Sequence, residues 1–381
     1  GARLSMSQMK NYKKNHRIGY LRKYRTMVLA SVVFFYLGCC LTINFTRIEC
    51  ANKTSSKKEL ETQVQSLSKV QYVVIILSSP NNDLHRDAVR TTWGNYVNNI
   101  FVENGEIIYK WNHNSMSEQS QRNVIKLLFV VGTLGLSGIK ADKLRNEQKR
   151  NKDILILDNI EDTYKNLSLK VLNALSWISE NLKEMKYVIK CDDDSFVRID
   201  LIVKNLNAFA PNMNAPELNK FVTFKEQLPT YKGLYWGYFS GHAEVFLTGR
   251  WQEKGWFLCD KYLPYALGGG YVISRRIVDY IAQNMDLLSY YNAEDVSMGV
   301  WTASLNAINR VHDVRFDTEW KSRGCKDNML IRHKQTSSDM FQMHKSLAQS
   351  DGHKLCGTEE INRKTYFYNW NVLPSACCKR N

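Results

Sequence analysis

Four short apolar runs constrain the fold of this chain more than any other feature: Val70 to Leu77 (VQYVVIIL), Leu127 to Val131, Ile154 to Leu157 and Tyr187 to Cys191 (YVIKC). Runs of this length, with many β-branched residues and little polar alternation, fit strands buried on both faces, as in a parallel sheet. Helical stretches lie between them. From Thr163 to Met185, Leu167, Val171, Leu175, Ile178 and Leu182 recur at spacings of 4, 4, 3 and 4, which makes one apolar stripe. Strands alternating with helices predict an α/β fold with a largely parallel sheet. At 381 residues the chain can build one large α/β unit or about two domains of ~150 residues. A 44% hydrophobic content with only 6 Pro excludes a mainly disordered or collagen-like chain. The polar stretch from Glu103 to Gln121 predicts a surface insertion.

The net charge of +15 suggests a nucleic-acid partner until its location is considered. Residues 1–25 carry Arg3, Lys10, Lys13, Lys14, Arg17, Arg22, Lys23 and Arg25 and no acidic residue, so about half of the excess is a basic tail. The next segment, 26–45 (TMVLASVVFFYLGCCLTINF), has no charge over 20 positions, enough helix to cross a hydrocarbon core of about 30 Å. It is longer than the apolar region of a cleaved signal peptide and ends in bulky residues. The expectation is an uncleaved anchor with a cytosolic N-terminus, a lumenal stalk over 46–69, a lumenal body and no nucleic-acid role. Residues 1–5 precede Met6 and read as an added remnant or an incomplete start. In the lumen, Asn52-Lys-Thr and Asn166-Leu-Ser are glycosylation sequons, while Asn44-Phe-Thr abuts the membrane. Cys39 and Cys40 lie in the span. Cys50, Cys191, Cys259, Cys325, Cys356, Cys377 and Cys378 make an odd lumenal set, which leaves one unpaired or bonded to another chain.

The sharpest chemical feature is Lys190-Cys-Asp192-Asp193-Asp194, three adjacent carboxylates directly after an apolar strand. Such a cluster is costly by repulsion unless a cation neutralises it, and the carboxyl ends of strands in open α/β sheets are where ligands bind. Oxygen ligands favour Mn²⁺ or Mg²⁺ over Zn²⁺, with a nucleotide-sugar diphosphate completing the coordination; a solvated acidic turn is the bland alternative. Glu294-Asp295 supplies a second carboxylate pair. Either residue could serve as a general base, although such pairs are usually caps or surface turns. Gly268-Gly269-Gly270 stands before an apolar strand and permits close backbone approach to a ligand, or forms a plain turn. Arg86 and Arg90, four apart on one helix face, could hold a diphosphate or make surface ion pairs. His312 and His333 are isolated, and packing is the usual fate of such residues.

The ordered set Arg86-x-x-x-Arg90-x-Thr92-Trp93, Phe129-Val-Val-Gly132, Lys190-x-Asp192-Asp193-Asp194, Tyr262-x-Pro264-Tyr265 with Gly268-Gly-Gly-Tyr271-Val-Ile-Ser274, and Glu294-Asp295-Val296 resembles the animal β1,3-glycosyltransferases. The resemblance runs from about Val70 to Leu355. It implies an inverting enzyme of GT-A fold, a single-pass type II protein of the Golgi membrane, using a UDP-sugar and Mn²⁺ (or Mg²⁺). Tyr235 to Gly241, Trp256 to Gly270, Phe316 to Cys325 and His333-Lys-Gln335 are similar to the branch that adds the second galactose of the proteoglycan linker. That implies UDP-galactose as donor and Galβ1,4-Xyl on a core protein as acceptor. Carried over by position, the resemblance implies Asp194 as the main metal ligand, with Asp192 and Asp193 near metal and ribose. It also implies His333 completing the metal site, Asp295 as base with Glu294 orienting or binding acceptor, and Arg86, Arg90, Lys190, Gly268 and Gly269 toward the nucleotide. The matched body would be a catalytic domain over 70–355. Residues 356–381, with Cys377-Cys378, would be an extension beyond it. A related transferase with another UDP-sugar or acceptor is the alternative within the family. A tethered divalent-dependent lectin is the alternative outside it, and would need the aspartates but no base. An oligomer is compatible with either.

Overall fold

The computed structural model describes residues 70–103, 106–109, 124–213 and 233–380, with a few positions between 25 and 35. The apolar run 26–45, the stalk 46–69 and Asn52 lie wholly or almost wholly outside the described residues. Among the described residues no helix is long and apolar enough to cross a membrane.

In chain order, β1 (Tyr72–Leu77) leads to α1 (Asp83–Thr91), and β2 (Ile100–Glu103) pairs with β3 (Glu106–Tyr109). The stretch expected as a polar insertion thus begins in a small hairpin; residues 110–123 lie outside the described residues. Then come β4 (Ile125–Gly132), α2 (Gly138–Asn151), β5 (Ile154–Leu157), α3 (Leu167–Asn181) and β6 (Tyr187–Asp192). After β6 the chain runs through β7 (Phe196–Val197), α4 (Ile199–Met213), β8 (Gly233–Ser240), β9 (Tyr265–Ser274), α5 (Arg275–Gln283), α6 (Glu294–Ala303) and β10 (Ile308–His312). It closes with β11 (Phe316–Asp317), β12 (Gly324–Cys325), β13 (Ile331–Arg332), α7 (Ser337–Gln349) and β14 (Glu360–Ile361).

Seven strands form one sheet in the order β10-β8-β9-β6-β1-β4-β5. The pairs β1–β4, β1–β6, β4–β5 and β8–β10 are parallel, whereas β9 is antiparallel to both its neighbours. The expected largely parallel α/β sheet is therefore present, with β9 alone reversed. Every residue of β1 is buried, as its unbroken apolar run requires. On α3, Val171, Leu175 and Ile178 are fully buried, and Leu182 just past its end joins them. Each such side chain contributes about 1.5–3 kcal/mol of burial.

A three-stranded sheet, β11-β13-β7, has a direct consequence for function. β7 begins two residues after Asp194 and pairs antiparallel with β13, Arg332 opposite Phe196. That register carries His333 back to the end of β6.

The segment past Leu355, expected to lie beyond the catalytic body, is part of it. Cys356 is disulfide-bonded to Cys325, β14 pairs with β12, and Tyr366, Tyr368, Cys377 and Cys378 join the main core. Cys377 and Cys378 are bonded to each other. Among the described residues Cys191 and Cys259 are free, more than the one unpaired cysteine expected; Cys191 is sealed inside β6, and Cys50 lies outside the described residues. Asn166 is half-buried at the start of α3, its amide donating to Glu161 O, and the Ser168 hydroxyl of that sequon is buried against Tyr291 O.

Candidate active site

β6 delivers the acidic triplet at the carboxyl edge of the sheet, but its members face different ways. Asp193 is buried and turns to the β1–α1 connection, where Oδ2 accepts from Asn82 Nδ2 at 2.8 Å. Asp192 and Asp194 stay partly exposed and converge on His333. Its Nε2 lies 3.2 Å from Asp192 Oδ2 and 3.0 Å from Asp194 Oδ1. The loop after β13 is tied in place by Gln335 N donating to Asp194 O at 2.7 Å and by His333 N donating to Asp317 O at 3.0 Å.

The chemistry of these three residues fits a divalent cation. One ligand atom from each lies within 4.8 Å of the others. Asp194 Oδ1 and His333 Nε2 are buried, close together, and lack hydrogen-bond geometry to any partner. Oxygens and an imidazole nitrogen that converge without sharing a proton along a bond direction are arranged for a common cation. Burial pushes the His333 imidazole down, but Asp192 and Asp194 override it and raise it to about 9. Two carboxylates thus draw a positive charge to this point.

Lys190 was expected to face the nucleotide. It is 1% exposed, and its ammonium pairs with Asp192 at 3.0 Å and Glu294 at 2.9 Å and donates to Gly268 O. Burial alone would lower its pKa, but the two carboxylates hold it above the ordinary lysine range. Burial likewise opposes ionisation of Asp192, and Lys190 followed by His333 holds that carboxyl well below the usual range. Lys190 is therefore an internal counter-ion joining the end of β6 to the start of α6.

Glu294 and Asp295 open α6, yet they differ sharply. Glu294 is 3% exposed, with one oxygen accepting from the Tyr271 hydroxyl and the other paired with Lys190. It has no access to an acceptor, so the acceptor-binding alternative for it is not met. Asp295 is half-buried. Oδ2 accepts from Gly268 N at 2.8 Å and Oδ1 from Val296 N at 2.9 Å. Burial raises its pKa, with Gly268 N–H and then Lys190 opposing. A desolvated carboxylate with a raised pKa is the better proton acceptor near neutrality.

Gly268 to Gly270 lie within β9, not before it, and a side chain from another element packs against each. A Cβ on Gly268 would meet Asp295 Oδ2 at 3.2 Å, on Gly269 His333 Nδ1 at 2.5 Å, and on Gly270 Ile331 Cδ1 at 2.5 Å. Gly269 O accepts from Ser195 Oγ at 2.9 Å. Adjacent glycines thus seat the candidate base and the candidate metal ligand side by side.

The two arginines are not brought to this point. Arg86 is buried in a two-bond pair with Glu147, at 2.8 and 2.7 Å, and donates to Ser78 Oγ and Ser79 O. Arg90 forks onto Asp153 at 2.8 and 2.9 Å. Asp153 precedes β5 and so lies at the amino edge of the sheet, opposite the aspartates. Both guanidinium groups are committed to carboxylates within the fold. The exposed Arg250 guanidinium lies 4.9 Å over the Tyr164 ring. Burial first, and Asp295 next, push the Tyr164 hydroxyl up. Tyr164, Asn82 and Ser195 were not singled out from sequence, because isolated polar and aromatic residues carry no periodic or spacing signal. His312 is a packing residue, as its isolation suggested.

Comparison with known proteins gives the family of the chain. Beta-1,3-galactosyltransferase 6 of Mus musculus is 37% identical over 313 residues, 82% of this chain and 84% of that one. UDP-GalNAc:beta-1,3-N-acetylgalactosaminyltransferase 2 of Xenopus laevis is 31% identical over 204 residues, 54% of this chain but only 37% of that longer protein. A solved galactosyltransferase, LgtC with donor and acceptor sugar analogs, aligns with 73% of this chain at 12% identity and a TM-score of 0.30, too distant to inform the site. Residues 84–313 match the family model described as Galactosyltransferase. That match covers more than half of the chain and contains both the aspartate triplet and Asp295: the chain belongs to the galactosyltransferase family.

Proposed function

We propose that this protein transfers galactose from UDP-galactose, with inversion and in β1,3 linkage, to the galactose of Galβ1,4-Xyl on proteoglycan core proteins. The observation that carries this reading is the juxtaposition along β9, where Gly269 touches the Asp192–Asp194–His333 cluster and Gly268 holds Asp295. Likeness to the mouse β1,3-galactosyltransferase over most of both chains supports the linkage and the donor sugar. The sheet with its acidic triplet at the carboxyl edge supports a GT-A reading of the fold.

In this reading Asp192, Asp194 and His333 hold a divalent cation, Mn²⁺ or Mg²⁺. When bound, that cation supplies the positive charge a departing diphosphate requires. Asp295 accepts the proton of the acceptor 3-hydroxyl as its oxygen bonds to the anomeric carbon. The bond from that carbon to the diphosphate oxygen breaks on the opposite face, and UDP leaves with the electron pair. Gly268 N–H and the α6 N-terminus orient the Asp295 carboxylate, while Lys190 and Tyr271 lock Glu294 beneath it. We further propose a Golgi, type II disposition with residues 26–45 as anchor and a glycan on Asn52 or Asn166, on the charge asymmetry and sequons of the sequence.

The test is incubation of the full-length chain with a panel of UDP-sugars and β-galactosides, followed by linkage analysis of the product. Transfer of galactose to the 3-position of a β-galactosyl-xyloside is expected. Transfer only from another UDP-sugar, or donor binding without any transfer, overturns it.

A further inference from the structure

The final stretch of the chain brings a second set of side chains to the same sheet edge. Tyr366 OH donates to Phe239 O at 2.8 Å, and His312 Nε2 lies 3.0 Å from Tyr366 O, so the segment is tied to β8 and β10. Asn369 N donates to Cys377 O at 3.0 Å and closes the chain between them into a short loop. Gly241, just past β8, lets that loop sit down, because a Cβ there would meet Tyr368 OH at 2.5 Å and Cys377 Sγ at 2.6 Å. On this loop Trp370 stacks on the buried Tyr368 ring, with centroids 3.8 Å apart and planes 23° off parallel. Trp370 is 42% exposed, with Tyr368 behind its ring.

A row of ring contacts runs from this platform to Glu294, the neighbour of the candidate base: Trp370 to Phe239 at 5.2 Å, Phe239 to Tyr235 at 4.8 Å, Tyr235 to Tyr271 at 5.6 Å, and Tyr271 OH to Glu294. Phe239 is in register with Ala266, and Gly268, which donates to Asp295, is two residues further along β9, about 7 Å. Trp370 is thus connected through Phe239 to the end of β9 that holds Asp295. The exposed His242 imidazole lies 3.8 Å from Cys377 Sγ, beside a loop that also exposes Phe367, Val372 and Leu373. A rigid aromatic face with hydrogen-bonding groups at its edge matches a pyranose, apolar on one face and hydroxylated around its rim.

We infer that Trp370 is the acceptor platform, stacking a sugar on the reducing side of the galactose that receives the new bond, so that the site takes β-linked disaccharide or longer acceptors in preference to a single galactoside. This rests on the transferase reading above and specifies its substrate class. The platform binds ground and transition states alike, so its loss raises KM and leaves kcat in place.

The experiment compares wild type, Trp370→Ala and Trp370→Phe as full-length proteins, with thermal melts confirming that each is folded. Transfer is measured to methyl β-galactoside and to a β-galactosyl-xyloside. Binding of the disaccharide without donor is measured by calorimetry. For Trp370→Ala about a tenfold rise in KM for the disaccharide is expected, with the monosaccharide little changed and Trp370→Phe close to wild type. An equal loss on both acceptors assigns Trp370 to the fold and overturns the inference, as does unaltered disaccharide binding by Trp370→Ala. If wild type transfers to no β-galactoside, the transferase reading fails. Calorimetry then decides the platform on its own: disaccharide binding lost in Trp370→Ala upholds it, and no binding by wild type overturns it.

Discussion

Gly269 is where the smallest possible side chain has the largest local effect. Its missing Cβ leaves the space that the His333 ring occupies, with Nδ1, Cγ and Cβ of the imidazole at 2.5, 2.6 and 2.8 Å from the position a methyl would take. Gly269→Ala is expected to displace the imidazole from Asp192 and Asp194 and weaken Mn²⁺ binding by about 10–100-fold, the range for disturbing the support of a ligand. Gly268→Ala meets Asp295 at 3.2 Å and should lower turnover with metal affinity retained. A Mn²⁺ titration in which Gly269→Ala binds as wild type does would remove His333 from the ligand set. Asp295→Asn preserves shape and removes the basic oxygen. Turnover is expected to fall on the order of 10²–10⁴-fold while UDP affinity, read by calorimetry, holds. Wild-type turnover in that variant assigns the proton to another group. The acidic residues were legible in the sequence because clustered like charge is costly and therefore conspicuous. Lys190, Arg86 and Arg90 were misread because a sequence shows a cation without the carboxylate that faces it from another element. Glu147 lies 61 positions from Arg86, and Glu294 lies far down the chain from Lys190.

Between elements, His312 is a joint whose partners the sequence did not show. At the end of β10 its Nδ1 accepts from Phe239 N at 3.0 Å, which fixes Nε2–H as the donor to Tyr366 O. One neutral ring thus ties β10 to β8 and to the C-terminal segment. Burial lowers its pKa to about 4, below the ordinary value of about 6.5. The folded state therefore binds this proton more weakly than the unfolded chain. Its stability contribution is complete above about pH 6.5 and is lost as pH falls toward about 4, because protonated Nδ1 cannot accept from Phe239. His312→Gln can offer the same acceptor and donor without titrating. Melting temperatures of the two proteins are expected to run parallel above about pH 7 and to separate below about pH 6, with the wild type falling faster. Parallel curves across the whole range would show that His312 carries no such linkage. The strands themselves were legible, since an apolar run of β-branched residues has few other fates. The reversed direction of β9 and the pairing of β13 with β7 were not, because register between distant segments leaves no local periodicity.

At the scale of the whole molecule, the chain after Leu355 closes the body instead of extending from it, and the contacts it makes decide what its removal would do. Cys356 closes a 31-residue separation to Cys325, worth about 3–4 kcal/mol on the loop-entropy relation. Glu319, 7% exposed, is ringed by Arg323 at 3.2 Å, Arg363 at 3.1 Å and Arg380. A chain ending at Leu355 keeps only the first of these, and stripping partners from a buried charge costs about 3–5 kcal/mol. It also exposes the rings of Tyr238 and Phe239, which Tyr366, Tyr368 and Trp370 cover, and leaves His312 Nε2 without its carbonyl. These losses together match or exceed the whole stability of a typical domain, about 5–15 kcal/mol. Truncation after Leu355 is therefore expected to yield no cooperatively melting protein. The double variant Cys325→Ser, Cys356→Ser loses one closure alone, and should fold with a melting temperature lowered by several degrees. Circular dichroism melts of the two, run beside the full chain, separate these outcomes. A truncated chain that melts within a few degrees of the full one would show that residues 356–381 are an appendage after all, and would detach the aromatic platform at Trp370 from the catalytic body along with them.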